Sequence, residues 1–136
     1  MSSQVLRLSL AGDFSQVREA ADQVQKFLLW HRCGAQARSD CELAVVEGCN
    51  NAIKHSTNGT KSQPVLVEVI VAHEEIELRI TDHGPGFAWP ASVELPEPEH
   101  ESGRGLYLIG RLMDSASYVR GTDENTLVLR KKFISN

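Results

Sequence analysis

Glu47 and Asn51 stand four residues apart in the run Leu43-Ala44-Val45-Val46-Glu47-Gly48-Cys49-Asn50-Asn51-Ala52-Ile53-Lys54-His55. If that run is a helix, a four-residue step returns to the same face and stacks a carboxylate above an amide. Lys54 and His55 continue the face with an ammonium and an imidazole. A helix that only has to pack rarely carries that mixture beside an apolar stripe. A site for a divalent cation and a polyphosphate needs it. Carboxylate and amide oxygens suit Mg2+ or an activated hydroxyl, and the ammonium and imidazole suit phosphate oxygens.

Two further segments carry chemistry. Asp82-His83-Gly84-Pro85-Gly86 directly follows a strand-like run, Ile76 to Thr81. A carboxylate at a strand end can accept a hydrogen bond from an exocyclic amine, and the two glycines let backbone approach a flat ring. Ser102-Gly103-Arg104-Gly105-Leu106 reads as a glycine-rich turn opening a helix, where free N–H groups and the helix dipole favour an anion. Each segment alone has a plainer reading: a solvated helix face, a common turn, a capping glycine. Together they give adenine, cation and phosphates a place each.

The elements that must position these groups follow from periodicity. Residues 4–10 alternate as a strand. Val17 to His31 has helical spacing, with Asp13 or Ser15 as its cap and Gly34 as its end. Ser39-Asp40-Cys41-Glu42 reads as a capping box opening a second helix that runs to about Ser56. Thr57 to Pro64 is a loop, Val65–Val71 and Ile76–Thr81 form a hairpin, and Arg104 to Met113 forms a third helix. Two last strands lie near 116–120 and 126–133. The expected fold is a two-layer α/β sandwich: a mixed, mostly antiparallel sheet of about five strands with three helices on one face.

With 136 residues the chain is expected to form one domain over 1–136 with a real core. A net charge of −4 argues against a nucleic-acid groove, and the apolar runs are too short to span a membrane. Cys33, Cys41 and Cys49 form no CxxC pair, so they read as reduced, buried and cytosolic.

The ExxxNAxKH segment, DxGxGF and SGxGLxLIxxLMD resemble the N, G1 and G2 boxes of the GHKL ATPase/kinase superfamily. Gly105-Leu106-Tyr107-Leu108-Ile109 through Leu112-Met113-Asp114 is similar to the anti-sigma-factor serine kinases of bacterial partner-switching systems. The resemblance covers nearly the whole chain. It implies a Bergerat ATP-binding fold with ATP and Mg2+ between the second helix and a lid over Phe87 to Glu101. Carried over residue by residue, Asn51 is the Mg2+-binding asparagine, Glu47 activates the attacking hydroxyl, and Asp82 reads adenine. Gly84 and Gly86 are the G1 glycines, and Gly103 and Gly105 meet the phosphates. Lys54 and His55 face phosphate, Arg104 touches a terminal phosphate, and Thr126 is the strand threonine near the adenine.

Histidine kinases of the superfamily often carry asparagine where this chain has Glu47. A hydroxyl benefits from a base more than an imidazole does, so Glu47 favours a serine acceptor. The resemblance thus implies a protein-serine kinase that sequesters a sigma factor or another regulator and phosphorylates a serine on an antagonist protein, with a homodimer expected. The exposed alternation of Leu6, Leu8 and Leu10 leaves room for that dimer. The competing reading is a nucleotide-gated binding module with weak or no kinase activity. The gyrase, chaperone and mismatch-repair branches need transducer domains and are not expected.

Overall fold

Strict alternation in the central strands builds the sheet. The computed structural model describes residues 3–55, 63–84 and 101–134, apart from the side chains at 55 and 101–104. In it, β1 (Gln4–Leu10), β2 (Val65–Ala72), β3 (Glu75–Asp82), β4 (Ser115–Arg120) and β5 (Asn125–Lys132) lie in the order β1-β2-β3-β5-β4. Val65, Val67, Val69, Ile76, Leu78, Ile80, Leu127 and Leu129 all point to one buried face. The lid from Phe87 and most of the loop from Thr57 fall outside the described residues.

Among the described residues every hydrogen-bonded strand pair is antiparallel, so the sheet expected to be mostly antiparallel has no parallel pair. The connections explain it. Two successive helices join β1 to β2, so the chain reverses three times, into α1, into α2 and into β2, and β2 arrives antiparallel to its neighbour. The single helix after β3 makes β4 run parallel to β3, but β5 inserts between them.

Three helices cover the buried face: α1 (Val17–Trp30), α2 (Ala35–His55) and α3 (Glu101–Leu112). Val17, Ala20, Ala21, Val24 and Leu28 form the buried stripe of α1. Neither candidate caps α1 itself, whose N-cap position is held by Gln16 without a side-chain bond; Asp13 caps the turn before it. Its Oδ1 accepts from the Ser15 N–H at 2.8 Å and opens a short 3-10 turn ahead of α1. That backbone bond holds the Asp13 carboxyl below its usual range.

Three expected boundaries move. Helix α1 ends through Arg32, at φ 63°, and not through Gly34. The Cys33 N–H reaches Leu28 O and the Arg32 N–H reaches Leu29 O, both at 3.0 Å, which is the Schellman arrangement with arginine in the left-handed position. Gly34 instead starts α2, its carbonyl accepting from the Arg38 N–H at 3.0 Å, so Ser39–Glu42 lies inside the helix and is no capping box. Asp40 is buried there against Lys131 at 3.1 Å, and Lys131 Nζ donates to Leu112 O at 2.7 Å, tying α2 and the end of α3 to β5. Helix α3 begins at Glu101, three residues before the expected start, which puts Gly103 and Gly105 inside its first turns.

The expected exposure of Leu6, Leu8 and Leu10 is also overturned. Leu10 is buried, and Leu6 and Leu8 pack half-buried against the core, while Val5, Arg7 and Ser9 face outward. Antiparallel register with β2 sets this parity, pairing Leu6 with Val69 and Leu8 with Val67.

Candidate functional site

Glu47 and Asn51 project from α2 one turn apart, both half-buried. Between them, Gly48 has no side chain because there is no space for one. A Cβ there would collide with the Ile80 Cδ1 methyl on β3 and lie 3.4 Å from Leu127 on β5. The missing side chain lets the site-bearing turn of α2 rest directly on the sheet. Asn51 therefore lines the same cleft as Asp82, with Gly48, Ala52, Ile80, Tyr118 and Leu127 forming the rest of the wall.

Asp82 closes the end of β3 and is only 2% exposed. A buried carboxylate is costly unless it is hydrogen-bonded. Its Oδ1 accepts from the Gly84 N–H at 2.9 Å and from Asn125 Nδ2 at 3.1 Å. Asn125 Nδ2 also donates to Gly84 O at 2.8 Å. Asp82 and Asn125 are cross-strand partners, so both lie on the helix-covered face.

The third segment arrives from above. A Cβ on Gly105 would sit 2.8 Å from Glu47 Oε2 and 3.8 Å from Asn51 Nδ2. The early turns of α3 thus lie so close on the Glu47–Asn51 face that a Cβ at 105 would fit only if the Glu47 carboxylate moved. Because α3 starts at Glu101, its unpaired N–H groups belong to roughly the first four residues, which include Gly103 and Arg104 but not Gly105.

The structure brings five of the candidate residues together and leaves one apart. Glu47, Asn51, Asp82, Gly84 and Gly105 converge. Lys54 is exposed one turn beyond Asn51. Gly86 and the side chains of His55 and Arg104 lie outside the described residues. Thr126 does not join the cluster. Its Oγ1 is 3.0 Å from Thr81 Oγ1, on the opposite face of the sheet. A one-residue step along a strand reverses the face, and the residue that reaches Asp82 is Asn125, which sequence reasoning missed. Parity would have found it, since Asn125 shares the inward phase of Leu127 and Leu129.

Asn51 Nδ2 is buried and has no hydrogen-bond partner among the described residues. An orphaned amide donor costs roughly 1–3 kcal/mol, which a ligand acceptor in the cleft would offset. No cluster of three or more His, Cys, Asp or Glu side chains that could hold a metal occurs among the described residues. Two roomier cavities, about 250 Å³ beside Leu8 and Gln23 and about 420 Å³ beside Gly34 and Ile134, contain none of these residues. Convergent polar groups, not size, mark the site.

No helix among the described residues is long and apolar enough to cross a membrane. Cys33, Cys41 and Cys49 are all free and buried.

Comparison with known proteins points the same way. Residues 10–131 match the histidine kinase-like ATPase domain family. The chain is 30% identical over 109 residues to the serine-protein kinase RsbW of Listeria monocytogenes, covering 74% of this chain and 68% of that protein. It is also 30% identical over 100 residues to the anti-sigma F factor of Clostridium perfringens, covering 69% and 71%. Among solved structures, the RsbU and RsbW domains of a Mycobacterium tuberculosis protein superimpose with a TM-score of 0.74 at 17% identity. That match covers 96% of this chain and 32% of the other.

Proposed function

The chain belongs to the histidine kinase-like ATPase domain family, on the anti-sigma-factor serine kinase branch of the GHKL superfamily, and from that premise we propose that residues 1–136 form one ATP-dependent protein-serine kinase domain. Its substrate is a serine on an antagonist protein of the STAS type, in a bacterial partner-switching system. In the same role it sequesters a sigma factor or another regulator, and the antagonist competes for it. A phosphate added to the antagonist disfavours an interface built for a neutral hydroxyl and so resets the competition.

The observation that carries this reading is the convergence of Gly105 on Glu47 and Asn51, with Asp82 in the adjoining cleft. Asn51 would hold Mg2+ through its amide oxygen, and its orphaned N–H would meet a phosphate oxygen. Asp82 would accept the exocyclic amine of adenine. Mg2+-ATP supplies the transferable phosphoryl group. Glu47 takes the proton from the serine hydroxyl, a contribution of roughly 10²–10⁴-fold to the rate. The free N–H groups at the start of α3, with Lys54, His55 and Arg104, would surround the phosphates.

Two further parts of the proposal are the cytoplasm as location and a homodimer as the working form. Among the described residues β1 is an edge strand paired with β2 alone, which leaves its outer side available to a second copy.

The test separates chemistry from binding. Asn51→Ala should impair Mg2+-ATP binding and transfer together. Glu47→Ala should bind nucleotide normally but transfer label to a candidate antagonist roughly 10²–10⁴ times more slowly. Near-normal transfer by Glu47→Ala would remove it as the base. Label on histidine would overturn the hydroxyl acceptor. Tight ATP binding by the wild type with no transfer at all would assign a nucleotide-gated binding module instead.

A further inference from the structure

Four polar residues are buried among those described: Asp40, Thr81, Asp82 and Asn125. Asp40 is paired to Lys131, and Thr81 to Thr126. Asn125 is different, because its whole donor capacity is divided between the carboxylate that faces the ligand cleft and the loop beside it. At 3% exposure, its Nδ2 sends one hydrogen to Asp82 Oδ1 at 3.1 Å and the other to Gly84 O at 2.8 Å. An amide nitrogen has two hydrogens, and both are committed.

The effect on Asp82 follows from geometry. Its Oδ1 receives two donors, the Gly84 N–H from the loop side and Asn125 Nδ2 from β5. Two donors on one oxygen fix the plane of the carboxylate and leave the other oxygen as what Asp82 can offer to the cleft it lines. A carboxylate oxygen is a hydrogen-bond acceptor. It accepts from a 6-amino purine and repels the 6-oxo group of inosine or guanine. The glycine loop alone would leave the carboxylate free to swing, whereas a side chain on a central strand does not yield. The same amide fastens Gly84, where the chain leaves β3.

We propose that Asn125 is the positioning residue that holds Asp82 for base recognition and so sets the preference for ATP over 6-oxo purine nucleotides. This rests on the nucleotide site described above. A purely structural role would cost stability and weaken all nucleotides alike. A positioning role lowers the preference itself, because a swinging carboxylate loses the bond to the amine and relaxes its repulsion of the oxo group.

The experiment measures Mg2+-ATP and Mg2+-ITP affinity by calorimetry for the full chain, with thermal unfolding of each variant alongside. Asn125→Ala should reduce the ATP/ITP preference roughly tenfold, the worth of one hydrogen bond to a charged group. Thr81→Val removes a cross-strand side-chain bond at the same sheet end but on the opposite face, and should leave the preference as in the wild type. Should Asn125→Ala fail to fold, Asn125→Ser keeps a polar group in less volume and is read the same way. An Asn125 variant that folds and keeps the wild-type preference, or loses ATP and ITP affinity by equal factors, would overturn this inference alone. Wild-type protein that binds neither nucleotide would overturn the site reading and this inference with it.

Discussion

Gly105→Ala tests the convergence of α3 on the Glu47–Asn51 face most directly, because the structure makes two predictions of opposite sign. The new methyl would stand 2.8 Å from Glu47 Oε2, against an ordinary carbon–oxygen contact of about 3.4 Å. The carboxylate must therefore withdraw by about half an ångström. It is the far end of a flexible side chain, so the withdrawal itself costs little. Alanine also replaces glycine inside a helix, which contributes roughly 0.5–1 kcal/mol of stability. The variant should melt at the same temperature as the wild type or higher. Catalysis should move the other way. Misplacing a reacting group by 1 Å costs on the order of 10²-fold, so half that displacement costs roughly tenfold in transfer rate, or about 1.4 kcal/mol at the transition state. Nucleotide affinity should hold, because the methyl lies at an ordinary 3.8 Å from Asn51 Nδ2. The assay pairs single-turnover label transfer with calorimetric ATP binding and a thermal melt. Unchanged transfer, or transfer and affinity falling by the same factor, would refute the idea that Gly105 exists to make room for the Glu47 carboxylate.

The β2–β3 turn places His73 and Glu74 at φ 51° and 61°, a two-residue turn of the kind that favours Asn-Gly. His73→Asn with Glu74→Gly should raise stability by about 1 kcal/mol in urea titration, and an unmoved midpoint would contradict that assignment. Burial pushes the Cys41 and Cys49 thiols from about 9 up to about 12, and the Cys33 thiol up to about 11. Since the folded values are the raised ones, the unfolded chain loses these protons first. Their contribution is complete below pH 9 and disappears as pH climbs toward 12, by roughly 1.4 kcal/mol per pH unit for each thiol. Cys49→Ala should flatten the decline in unfolding free energy between pH 9 and 10.5, and an identical slope would count against it.

What was legible in the chain was whatever is written in local period. Val65 to Val71 and Ile76 to Ile80 announce their faces, and the four-residue step from Glu47 to Asn51 survives intact on α2. What was not legible depends on partners far away in sequence. Ser39-Asp40-Cys41-Glu42 imitates a capping box, yet Asp40 is inside α2 because Lys131, ninety-one positions on, supplies its charge partner. Arg32 occupies the left-handed position that glycine usually takes, because Cys33 and Leu28 bury together and close the helix end from beyond it. Asn125 sat in the polar stretch Asp123-Glu124-Asn125 and looked like turn. Only pairing with Asp82 across β3 and β5 turns it inward and makes it part of the site.

The positions of two helical glycines explain why three separated segments meet at one point. Glycine inside a helix costs about 1 kcal/mol relative to alanine, and neither Gly48 nor Gly105 terminates its helix. Both lie where a Cβ has no space: Gly48 against Ile80 and Leu127 below, Gly105 against Glu47 above. The first sets how closely α2 approaches the sheet, and so how near Asn51 comes to Asp82. The second sets how closely α3 approaches α2, and so how near its free N–H groups come to Glu47. Helix propensity is given up at the two contacts that determine the size of the cleft. At Gly105, where the Glu47 carboxylate could withdraw, a domain selected for stability alone would carry alanine.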